Sequence, residues 1–166
     1  MVDYAVDRSA RLEAAGFFPD LGWKKRTNVS VSENGKTYRA AVAEGLKSAV
    51  FQIDGQIIRD GAKCDKYLAV VEDKESNAKG MAVFIELKGK DVSHAIDQLE
   101  VTLKSRLFLP LPQKSDLVRA RIVTAGCRPK SSSKLKLEEV RKRFKILYNT
   151  ELRVLKNLQS DTTIAI

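Results

Sequence analysis

Glu86 and Lys88 stand two residues apart at the end of the apolar run Val83, Phe84, Ile85, with Leu87 between them. On a β-strand, positions two apart share a face. The carboxylate and the ammonium then project together while Leu87 turns into a core. A second acid, Asp65, precedes another apolar run, with twenty residues between it and Glu86. Charges at a buried strand end are costly unless they have work to do. The pattern Asp…Glu-x-Lys supplies what metal-dependent phosphodiester hydrolysis requires. It offers hard oxygen ligands for a divalent ion and a cation near the attacking water and the scissile phosphate. The plainer alternative for Glu86 and Lys88 is an exposed strand-end ion pair, worth little.

Two strands must bring these residues together. Residues 67–71 form an apolar run that starts just after Asp65, and 81–85 lead into Glu86, with a polar loop over 72–80. Upstream, Val50 to Ile53 and Ile57, Ile58 flank Asp54-Gly55, which predicts one bent strand or a tight strand pair. Three strands in meander order follow from such short connections. Downstream, Asp91 is a plausible helix N-cap. Val92, Ile96, Leu99 and Leu103 recur at helical spacing, predicting an amphipathic helix to about Lys104. Residues 117–123 read as a fourth strand. If it joins the same sheet in parallel, the crossover is right-handed.

The flanks carry clear signals of their own. Residues 1–16 look helical. Asn34-Gly35 between two alternating runs is a strong hairpin signal. Its rival is a helix over 37–47, where Ala40, Ala41, Ala43 and Leu46 are good helix formers. Residues 129–133 suggest a flexible basic loop, and 135–158 one helix, or two broken near Asn149. The expected class is α/β with a mixed sheet, in one domain spanning 1–166.

Cys64-Asp65, Phe84-Ile85-Glu86-Leu87-Lys88 and Ala95-Ile96-Asp97-Gln98-Leu99 together resemble the PD-(D/E)XK nuclease superfamily, the restriction-endonuclease-like fold. Cys64 stands where that family often has proline. Val101 and Thr102 stand where its RecB-like branch often has an aromatic. The resemblance covers about 38–125 and implies a core of order α-β-β-β-α-β. That core is a three-layer sandwich whose central mixed sheet is flanked by helices. It implies Asp65 and Glu86 as metal-binding acids, with the Leu87 carbonyl as a main-chain ligand. It further implies Lys88 as the lysine that orients or activates water, and Gln98 as a supporting glutamine. The implied activity is a Mg²⁺- or Mn²⁺-dependent endonuclease cutting DNA, of restriction/defence or junction-resolving type, working as a homodimer. The superfamily also holds members that keep the fold without catalysis. A nucleic-acid-binding or partner-binding module is therefore the alternative.

Four other residues bear on the site. Asp54 is a turn residue or an extra metal ligand. Glu44 is the acid of a first core helix only if 37–47 is helical. His94 is a solvated helix residue or one facing the same cleft as Gln98. Cys64 is a small strand-start residue, since no histidine is placed in sequence to activate it.

Charge points to the partner. The 166 residues carry 30 basic and 21 acidic side chains, a net +9 that favours polyanions. From Arg128 to Lys145, eight basic residues face two acids, a local +6. Lys130, Lys134, Lys136, Arg141, Lys142, Arg143 and Lys145 are the expected phosphate contacts of this basic segment, about 128–158. Lys24, Lys25 and Arg26 form a smaller cluster. Two cysteines allow no disulfide framework. No apolar run has the length of a membrane span, and Met1 to Tyr4 lacks the basic-then-apolar layout of a signal peptide. The expected setting is the reducing cytoplasm.

Overall fold

The computed structural model describes residues 2–87, 91–125 and 131–166, the side chains of 131–135 excepted. Lys88 and Lys130, and the Lys134 side chain, lie outside those described residues. Asp3 accepts a hydrogen bond from the Ala5 amide and caps α1 (Tyr4–Ala14). After β1 (Leu21–Lys25), Asn34 and Gly35 join β2 (Asn28–Glu33) to β3 (Lys36–Val42). Both turn residues have positive φ, 51° and 71°, as a primed hairpin turn requires. The strands pair antiparallel from Asn28↔Ala41 to Glu33↔Lys36. Tyr38, Ala40 and Val42 are buried while their neighbours Arg39 and Ala41 are exposed, so residues 37–42 follow a period of two and not a helical one.

The chain continues through β4 (Lys47–Gln52), β5 (Lys66–Val71), β6 (Gly80–Leu87), α2 (Val92–Leu103) and β7 (Leu117–Thr124). It ends with α3 (Ser131–Tyr148), β8 (Glu151–Lys156) and β9 (Ser160–Ile164). The larger sheet has six strands in the order β1-β4-β5-β6-β7-β8. Its first four strands run antiparallel to one another, and β6, β7 and β8 run parallel. The sheet is therefore mixed, and α2 is the crossover between parallel neighbours. Asp91 caps α2 by accepting from the His94 amide, 2.9 Å.

All eight residues of β6 are buried, because both faces of the sheet are covered. Ala82 and Phe84 pack with residues of α1, α2 and α3. Met81, Val83, Ile85 and Leu87 pack with the three-stranded sheet β2-β3-β9. The layer opposite the helices is thus a second sheet, where flanking helices were expected. α1 lies tight on the helix-side layer: a Cβ on Gly80 would come within 2.9 Å of the Ala5 Cβ and of the Val70 carbonyl. An aromatic group fills the core there, with Tyr67–Phe84 centroids 5.2 Å apart and Phe84–Phe108 5.0 Å.

Three expectations change. The helix packed on the core strands is residues 4–14, so the core does not begin near 38. Glu44 sits exposed in the turn between β3 and β4 and belongs to no helix. The segment after Tyr148 is not helical: Asn149 adopts φ 46° and its side-chain amide donates to the Gln113 and Asp116 carbonyls. That left-handed residue ends α3. Along β8 the buried Leu152 and Leu155 stand three apart and turn to opposite cores, as residues of opposite parity on a strand do.

Candidate active site

Asp65 and Glu86 meet where β5 begins and β6 ends. Asp65 immediately precedes β5, and its amide donates to the Ile85 carbonyl, 3.1 Å. Its carboxylate Oδ2 accepts from the Leu87 amide, 2.7 Å. Asp65 is therefore tied to the residues on either side of Glu86. Alternation places Glu86 on the same side of β6 as Ala82 and Phe84, toward the helices. Asp65 precedes Tyr67, whose ring packs on Phe84 on that same side. Both acids are buried, Asp65 6% and Glu86 1% exposed. Leu87 turns its side chain into the opposite core.

Burial pushes the Asp65 carboxyl up to about 6, even though the Leu87 amide favours its charged form. The Glu33 carboxyl at the end of β2 and the Asp54 carboxyl both push it further the same way. Like charges crowd this position. Glu33 is the residue that sequence reasoning missed. Only the antiparallel pairing of β2 with β3, and the packing of that hairpin on the main sheet, brings it to Asp65.

α2 holds the approach to Asp65. Gln98 Nε2 donates to the Lys63 carbonyl, 2.9 Å. One turn on, the Thr102 hydroxyl accepts from the Cys64 amide and donates to the Gln98 carbonyl, 2.8 Å each. Gln98 and Thr102 thus clamp the two residues before Asp65. The spacing i, i+4 on one helix face is the signal that could have added Thr102.

The remaining candidates divide cleanly. Asp54 is exposed in a turn, 3.5 Å from the Lys63 ammonium, and its charge acts on Asp65. His94 is exposed on α2. Cys64 is fully buried and its thiol is pushed up by burial, which leaves it inert as a nucleophile. Among the described residues, no group of three or more His, Cys, Asp or Glu side chains is arranged to hold a metal ion. The donors on offer are the two carboxylates and main-chain carbonyls.

On α3, Lys136, Lys142, Arg143 and Lys145 are exposed and Arg141 is half-buried. Arg143 pairs with Glu100 of α2, and Arg141 with Glu138. Among the described residues, no helix is long and apolar enough to cross a membrane. Comparison with family models, curated proteins and solved structures gives no match, so the site stands on its own geometry.

Proposed function

We propose that this protein is a Mg²⁺- or Mn²⁺-dependent endonuclease of the restriction-endonuclease-like fold that hydrolyses DNA phosphodiester bonds. The observation that carries this reading is the pair of buried carboxylates on adjacent strands, with Asp65 fixed by hydrogen bonds to both neighbours of Glu86. The succession α1, β4, β5, β6, α2, β7 supports it, since this is the α-β-β-β-α-β order of that fold with β1 and the β2-β3 hairpin inserted after the helix.

The residues present suit a divalent cation. Asp65 is crowded by Glu33 and Asp54, and a bound cation relieves that repulsion. Asp65, Glu86 and the Leu87 carbonyl are the groups that would hold it. When bound, such an ion lowers the pKa of its water and offsets charge developing on the phosphate. The chain's own part is positional. The Leu87 amide fixes one Asp65 oxygen, Gln98 and Thr102 fix the segment that carries Asp65, and the covered sheet keeps bulk water from the carboxylates. Lys88, two residues past Glu86 in sequence, is the cation assigned to orient the attacking water against the phosphate. Cutting both strands of a duplex needs two such sites, which favours a homodimer.

A panel of duplex, single-stranded and branched DNA, with RNA alongside, incubated with Mg²⁺ or Mn²⁺ tests the proposal. Expected is metal-dependent cleavage that Glu86→Gln and Lys88→Ala each abolish while DNA binding persists. Absence of cleavage from every substrate with both metals rejects it. The second reading, a non-catalytic nucleic-acid-binding module, is favoured by one observation: no third acid side chain among the described residues completes a metal group.

A further inference from the structure

A groove runs between the C-terminal half of α3 and the edge strand β8. It has a volume of about 490 Å³ and is lined by Arg141, Lys145, Thr150, Glu151, Leu152 and Arg153. Three cations converge on it from two elements. Arg141 and Lys145 lie one turn apart on α3, the spacing that puts side chains on one helix face. Arg153 comes from β8, half-exposed at 44% of its side chain. Two of the three are partly matched: Arg141 by Glu138, and Arg153 by Glu151, 2.6 Å away. Glu151 also receives the buried Arg121, so its charge is divided. Lys145 touches only the neutral Asn149 oxygen among its hydrogen-bond partners described here, 3.1 Å. The groove keeps an excess of positive charge.

The rest of the basic helix is differently placed. Arg143 points to α2 and is spent on Glu100. Of the described cations of the run, Arg141 and Lys145 therefore line the groove and Arg143 is paired on the α2 side. Arg153 was not among the sequence candidates, because it lies beyond the basic run and in a segment expected to be helical.

We infer that the groove between α3 and β8 is the seat of a nucleic-acid backbone, whose phosphates are held by Arg141, Lys145 and Arg153. Lysine and arginine neutralise phosphates and release their counterions, which fits a concave, cation-lined surface at a sheet edge. In the register, Arg153 is level with Arg121 of β7 and Ile85 of β6, the residue before Glu86. Two strand spacings, about 10 Å, separate the β8 and β6 backbones. This inference rests on the nucleic-acid part of the proposed function and is independent of whether the site cuts.

The test is fluorescence anisotropy with a labelled 30-nucleotide strand and its duplex, in EDTA so that no cleavage occurs, over a series of salt concentrations. Lys145→Glu/Arg153→Glu is expected to weaken binding about tenfold or more. Lys145→Ala and Arg153→Ala each lower the salt slope by about one. Lys24→Glu, an exposed cation on β1 at the opposite sheet edge, is expected to stay within about twofold of wild type, judged on the same charge-release scale. Equal losses from Lys24→Glu and the groove variants overturn the inference, because the attraction is then diffuse. So does wild-type protein that binds neither DNA, or groove variants that bind DNA normally but lose binding to phosphatidylserine vesicles. Weak binding by the groove variants alongside an inactive wild-type enzyme keeps the groove and rejects the nuclease. Normal binding by the groove variants with active wild-type enzyme does the reverse.

Discussion

Asp161 and Asp65 are equally buried, 6% exposed each, yet the fold pushes their protonation in opposite directions. Asp161, on β9, accepts from Arg121 Nε at 2.8 Å and from the Tyr38 hydroxyl at 2.9 Å, with Arg119 3.6 Å away. Burial raises its pKa, but Arg121, the Tyr38 hydroxyl and Arg119 together more than offset that and hold the carboxyl below its ordinary range. Asp65 is raised by burial and then raised again by Glu33 and Asp54. One carboxylate has been given its cations by the chain itself. The other has been placed among more negative charge. A buried ion pair locks two layers, here β9 against β7. A crowded carboxylate is a poor structural device and a good place for a cation from outside.

The largest effect expected from this contrast falls on the paired side. Asp161→Asn leaves the fully buried Arg121 with only the half-exposed Glu151 as counter-charge. The loss is about 3–5 kcal/mol, or roughly 10 °C in the melting temperature of a chain this size. A urea titration and a thermal melt both measure it. A loss below about 1 kcal/mol would show that the network is decorative.

Asp65→Asn acts in the opposite sense. The native carboxyl holds its proton to about pH 6, whereas the unfolded one releases it near 4. Between those values the native state binds more protons, so stability falls as pH rises through the window. In metal-free buffer the variant is expected to match wild type at pH 4. At pH 7 it is expected to exceed wild type by up to about 3 kcal/mol. Asp161 carries the opposite slope: its stabilisation is present above the unfolded pKa and disappears as acid protonates the native carboxylate. Melting curves at pH 4, 5.5 and 7 separate the two. A variant less stable than wild type at pH 7 contradicts the crowding of Asp65.

A smaller change sharpens the same point. Glu33→Gln removes one of the charges that raise Asp65. The Asp65 titration, followed by carboxyl carbon NMR, is expected to move down. An unmoved titration takes Glu33 out of the site.

The strands that carry the acids were legible because each signal was local. The Asn34-Gly35 turn, the apolar runs beside Asp65 and Glu86, and the 3.6-residue recurrence from Val92 to Leu103 each specify one element without help from distant chain. The C-terminal region was not, because two periods competed. Leu147, Leu152, Leu155 and Leu158 recur closely enough to pass for a helix face. The strand pattern over 151–156 becomes decisive only once Asn149 takes a left-handed conformation and β8 finds β7. Long-range packing hid the rest. Nothing near residue 12 says that α1 packs beside β6 through Gly80. Nothing near residue 33 says that its carboxyl meets Asp65. The acid pair and Gln98 were readable in the sequence; the third neighbour of the pair exists only in the folded chain.

The most direct test of the central claim, that Asp65 and Glu86 hold a divalent cation whereas Asp161 is held by Arg121, is a calorimetric titration of the metal-free protein with Mn²⁺. Wild type is expected to bind the ion. Asp65→Asn and Glu86→Gln are each expected to lose that binding, and a folded Asp161→Asn protein to keep it. No heat from wild type, or unchanged binding in Asp65→Asn, would contradict the claim.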